Sequence, residues 1–198
     1  MRSGPVNALV AIVLLVPTSA FAHFGADHTH SFGEGFAHPF GGLDHILTMV
    51  TVGLLAWQLG GRAIWLVPAT FVSLMALGGA LGIAGEPLSV VEYGIAASLI
   101  VLGAMVALGM RAPTVVAAAL VGLFAMFHGY AHGMETPADA SGSTFAAGFI
   151  LATMLLHACG IALGFLVGRI AERYERLGYQ VAGAFVALAG VGMLAHFM

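Results

Sequence analysis

Apolar residues in this chain come in long blocks, broken by short polar or glycine- and proline-bearing joints. After position 38 the blocks run 39–60, 63–84, 89–110, 113–133, 144–169 and 178–197, each near the ~20 residues that carry a helix across a bilayer. The joints are of kinds that end helices. Gly60-Gly61 closes the first block, Pro87 and Pro113 mark later boundaries, and Glu135 to Ser143 is the longest polar connection between blocks. Pro39 suits a first helical turn, where its missing N–H costs nothing. An earlier, shorter block has a different character. Arg2, the apolar run Val6 to Val16 and Ala20-Phe21-Ala22 read as a secretory signal cleaved after Ala22. The predicted organisation is therefore a signal peptide over 1–22, a His-rich outer segment over 23–38, and a six-helix transmembrane domain over 39–198. The fold class is all-α, a polytopic membrane helix bundle.

Composition agrees with that pattern. Of 198 residues, 60% are hydrophobic and 8% charged, against roughly 25% charged in a soluble domain. No polar stretch is long enough for a separate soluble domain or an attached ATPase, and no P-loop or dinucleotide fingerprint occurs. The six basic residues are all arginines and are scattered, so nucleic-acid binding has no support. Cys159 stands alone, which rules out an internal disulfide.

Charge then orients the chain. With the mature N-terminus outside, Arg62, Arg111, Arg169, Arg173 and Arg176 all fall on the inner side. Asp27, Glu34, Glu86, Glu92, Glu135 and Asp139 fall outside, as the positive-inside rule expects. The inner turns repeat a short string, Leu59-Gly60-Gly61-Arg62-Ala63 and Leu108-Gly109-Met110-Arg111-Ala112, a hint of related units. Three spans plus three would give halves of opposite orientation, a known transporter plan. Gly160, Gly164 and Gly168 form one close-packing stripe, and Gly78 with Gly82 another.

Nine histidines remain, and none falls on the inner side of this topology. His23, His28 and His30 lie in the outer segment, where cleavage would expose the amine and imidazole of His23 together as a chelating pair. His38, Asp44 and His45 meet at the mouth of the first span, and Met49 follows one turn beyond His45. His38 and His45 share a face if the helix continues through Pro39. His128 and His132 are spaced i,i+4, so their imidazoles stack on one helix face, and Glu135 adds an oxygen if that helix continues. His157 sits near the middle of the fifth span and shares a face with Gly164, which points it into the bundle. Ionisable groups at these depths are costly and usually functional. Imidazole with carboxylate suits a divalent transition metal of borderline softness.

The string His38-Pro39-Phe40-Gly41-Gly42-Leu43-Asp44-His45, read as H-P-x-x-G-x-D-H, resembles the signature of the HupE/UreJ family of small membrane permeases. So do the looser His128-Gly129-Tyr130-Ala131-His132 element, the leader, the number of spans and the size. The resemblance implies uptake of nickel, sometimes cobalt, as transported substrate for hydrogenase, urease or corrinoid synthesis, with His38, Asp44 and His45 needed for it. It implies no organic cofactor and leaves the oligomeric state open. It places the chain in a bacterial inner membrane, where the charge-based orientation puts both mature termini in the periplasm. The expected route runs from the tail to His38, Asp44 and His45, then to His128 and His132, then past His157. Two other classes compete. A membrane zinc hydrolase would gather His128, His132 and His157 around its metal with Asp44 as base. A metal sensor or chaperone-docking protein would bind the ion without moving it.

Overall fold

Apolar segments in lipid must satisfy every backbone N–H and C=O internally, and a helix does this within one segment. The computed structural model describes residues 32–85, 88–136, 140–170 and 175–197. They form seven helices and no strand: α1 Phe32–Ala37, α2 Leu43–Leu59, α3 Ala63–Ile83, α4 Ser89–Leu108, α5 Thr114–Glu135, α6 Ala140–Ile170 and α7 Glu175–His196. Five of them are long and apolar enough to cross a bilayer, or six if α1 and α2 count as one bent span. The chain is thus an all-α polytopic bundle. The expected signal peptide and His23, His28 and His30 lie outside the described residues.

The first span departs from expectation. It is not one helix over 39–60. His38-Pro39-Phe40 is a separate 3-10 turn, and the segment before Gly41-Gly42 meets α2 at 83°. Pro39 therefore opens this turn rather than the spanning helix. Gly42 is extended, with φ −119° and ψ 129°, and α2 starts immediately after it. The fifth block also exceeds its expected bounds of 144–169. α6 has 31 residues, about 46 Å at helical rise, well over the ~30 Å of a hydrocarbon core. The first turns of this helix carry α1. Gly35 lies against the Phe145 backbone, and Gly148 against that of Phe32 and Phe36.

Three helix pairs dominate the packing: α3 with α5, α4 with α7, and α2 with α6. Each is seamed by glycine, as a membrane interior requires when no hydrophobic force joins helices. Gly53 and Gly160 bring α2 and α6 into backbone contact, Gly79 and Gly133 do so for α3 and α5, and Gly103 and Gly183 for α4 and α7. Of the expected small-residue stripes, Gly160 and Gly164 lie against α2, and Gly78 and Gly82 lie against α5. Exchanging α2–α4 with α5–α7 maps these three pairs onto themselves. The repeated string, however, occupies the α2–α3 and α4–α5 connections, which that exchange does not interchange. What its copies share is a helix-ending glycine at positive φ, +69° at Gly60 and +62° at Gly109, followed by an arginine.

Chain direction alternates, so one end of the bundle gathers Arg62, Arg111, Arg169 and Arg176. The start of α2 and the end of α5, with their histidines, lie at the other.

Candidate metal centre

The 83° bend is what assembles the site. With the chain turned at Gly41-Gly42, the 3-10 turn leans against the start of α6, and the His38 ring packs on Phe145 and Phe149 at centroid distances of 5.5 and 5.9 Å. His38 then reaches the last turn of α5. Its Nε2 lies 3.1 Å from His132 Nδ1 and 3.2 Å from Glu135 Oε2, while His132 Nδ1 and Glu135 Oε2 are 3.5 Å apart. These three atoms form the one group of three or more close metal-type ligands among the described residues. Helix α5 runs through Glu135, which puts that carboxylate beside both imidazoles.

A second arrangement adjoins the first. His45 Nε2 touches His132 Nε2, the other nitrogen of the same ring. Asp44 Oδ1 stands 3.0 Å from His45 Nδ1, which favours the hydrogen on Nδ1 and leaves the lone pair on Nε2. The His128 ring lies 5.8 Å from that of His45. Its Nδ1 donates to the Phe124 carbonyl at 3.1 Å, and its Nε2 is buried with no partner. A backbone acceptor thus fixes the tautomer in the way a metal-ligating histidine requires.

Deeper still, His157 is 2% exposed and neither of its nitrogens has a partner. The Phe71 ring touches both His157 and His128, at 5.0 and 5.9 Å. Unpartnered buried imidazole nitrogens are costly unless something binds them.

The expected residues divide accordingly. His38, Asp44, His45, His128, His132 and Glu135 come together at one end of the bundle, and His157 stands apart below them. His38 and His45 are joined by the bend and by His132, not by a shared helix face. Met49 is fully buried in the apolar core cluster. Cys159 is exposed on the bundle's outer face. Sequence reasoning missed Phe71, Phe145 and Phe149, which wall the site. Nothing in their spacing marks them out among thirteen phenylalanines.

A multi-helix membrane protein with clustered imidazoles and carboxylates at one end is the class these features define. Residues 10–193 match the family model described as HupE / UreJ protein. The chain is also 46% identical over 197 residues to "Protein HupE" of Rhizobium leguminosarum bv. viciae, covering 98% of this chain and 99% of that protein. The chain belongs to the HupE/UreJ family. No solved structure matches it.

Proposed function

We propose that this protein is a permease that takes up a divalent transition metal, nickel in the first place and cobalt in the second, from the histidine end of the bundle toward the arginine end. The observation that carries the reading is the convergence of His38 Nε2, His132 Nδ1 and Glu135 Oε2 at 3.1–3.5 Å. Bonds of about 2.1 Å give ligand–ligand edges of about 3.0–3.4 Å in octahedral or tetrahedral sites. Membership of a family associated with nickel and cobalt uptake supports the same reading. The N/O ligand set accepts either metal and does not choose between them.

His132 offers a means of transfer. Its Nδ1 serves the outer group with His38 and Glu135, and its Nε2 serves the inner group with His45 and His128. An ion exchanged between the two faces of one imidazole advances without leaving its ligands all at once. His157, with two unpartnered nitrogens, is the next station inward. His23 at a freed N-terminus would capture the ion first. Both mature termini face the periplasm of a bacterial inner membrane in this reading, with all five mature arginines inside. The metal delivered would supply hydrogenase, urease or corrinoid synthesis.

The hydrolase reading needs His128, His132 and His157 around one zinc. No ring contact between His128 and His157 occurs among the described residues; both meet Phe71 instead.

The deciding experiment is radioactive nickel and cobalt flux into proteoliposomes at an inside-negative potential, with wild type beside His45→Ala. Flux in wild type and none in the variant supports the permease. No flux from either, with stoichiometric metal retained through purification, overturns it.

A further inference from the structure

Below His157 the imidazoles stop, and the ion still has to reach the arginine end. Asp44, Thr48, Thr51, Leu55 and Gln58 follow one another at intervals of four, three, four and three along α2. That spacing keeps a single helix face. Thr48, Thr51 and Leu55 are at most 1% exposed, so the face is turned into the bundle. It carries a polar group at every step but Leu55, over about 21 Å from Asp44 to Gln58. The Thr48 hydroxyl oxygen and Gln58 Oε1 are both buried without a partner. Gly53 packs on the His157 backbone, so Gln58 lies five residues, about 7.5 Å, further along the axis than His157.

Gln58 also borders two cavities at the arginine end. One, of about 270 Å³, is lined by Gln58, Gly109, Arg111, Arg176 and Tyr179 among others. The second, of about 470 Å³, is lined by Gln58, Leu59, Arg111, Ala112 and Pro113. The Gln58 amide nitrogen is occupied, donating to the Val106 carbonyl at 3.2 Å. That bond holds the side chain and leaves Oε1 as the free atom.

Resting on the permease reading, we infer that Gln58 Oε1 is the exit ligand of the transported cation. It receives the ion past the single apolar layer at Leu55 and passes it to the cavity beside Arg111. A neutral carbonyl oxygen binds a divalent cation more weakly than the imidazole–carboxylate group at the other end. Two arginines on the cavity wall repel the ion as it arrives. Weak binding and repulsion favour release, which conduction requires at its last station.

The test measures radioactive nickel flux into proteoliposomes and equilibrium nickel binding to the purified full chain, for wild type, Gln58→Leu, Gln58→Glu and His45→Ala. Gln58→Leu is expected to bind nickel as wild type does while its flux falls about tenfold or more, the scale of losing one supporting group at a metal site. Gln58→Glu keeps an oxygen but loses the amide that holds Val106 and makes the ligand anionic, so it is expected to retain more nickel than wild type while passing it more slowly. Wild-type flux in Gln58→Leu overturns the inference while leaving the permease standing. So does a flux loss in Gln58→Glu with no gain in bound nickel, which would make the Val106 bond the reason for the defect. Wild type that carries no nickel overturns the permease reading and this inference with it.

Discussion

Among the described histidines, His132 alone belongs to both ligand groups, its Nδ1 beside His38 and Glu135 and its Nε2 against His45. Removing His38 or Glu135 strips one partner from the outer group and leaves the inner one whole. Removing His132 strips a ligand from both. His132→Ala is therefore expected to lower nickel affinity further than His38→Ala or Glu135→Gln does. Isothermal titration of the three purified variants ranks them, and equal losses would count against the shared-ring arrangement. Met49 makes a contrasting case at the same scale. It is fully buried in the apolar cluster, where exchange for leucine conserves volume and costs under about 1.5 kcal/mol. Met49→Leu is expected to keep nickel uptake within about twofold of wild type, since packing survives the exchange. A large loss with unaltered thermal stability would make the thioether a ligand.

The bend before α2 is the element on which the site depends. Gly42 sits in it because a side chain has no room: a Cβ there would fall 2.6 Å from Asp44 Oδ1 and 2.6 Å from His45 Nδ1. Gly42→Ala must displace that pair while leaving the helix interfaces alone. Reduced nickel affinity at near wild-type thermal stability is the expected outcome, and unchanged affinity would mean the pair is not positioned by this turn. The same element shows how far the sequence could be read. The spans were legible because lipid solvates only apolar surface, so burial against lipid and burial in the core leave one signal. The residues Asp44, His45, His128 and His132 were legible because ionisable groups stand out against that background. The break was not. Pro39 and Gly41-Gly42 are compatible both with a helix start and with a turn, and only packing against the extended α6 selects the turn. Nor does periodicity say which helices are neighbours. It therefore left His38 one helical face from His45 when the structure joins it to His132 and Glu135 on α5. The stripe ending at Gln58 was open to counting, since 44, 48, 51, 55 and 58 is a plain heptad spacing. Two threonines in a helix of apolar residues draw little notice until both prove buried.

Over the whole molecule, histidines collect at one end and arginines at the other, and that polarity makes two conditions of transport separable. Imidazole coordinates only when neutral. Protons on the histidine side compete with the ion for the same nitrogens, so ligation weakens as external pH falls. Nickel flux should therefore weaken as pH falls on the histidine side, while lowering pH on the arginine side alone leaves those ligands untouched. The membrane potential acts on the ion itself. A divalent cation crossing ~100 mV gains about 4.6 kcal/mol, twice the single-charge value, or roughly 2,000-fold accumulation. No energising domain is then required. Proteoliposomes with a potassium diffusion potential and equal pH on both sides test this. A facilitator accumulates nickel when the interior is negative and stops when the potential is collapsed. Accumulation that persists without potential but follows an imposed pH gradient would instead mean that protons drive the ion, with the histidine cluster as the group that exchanges one for the other.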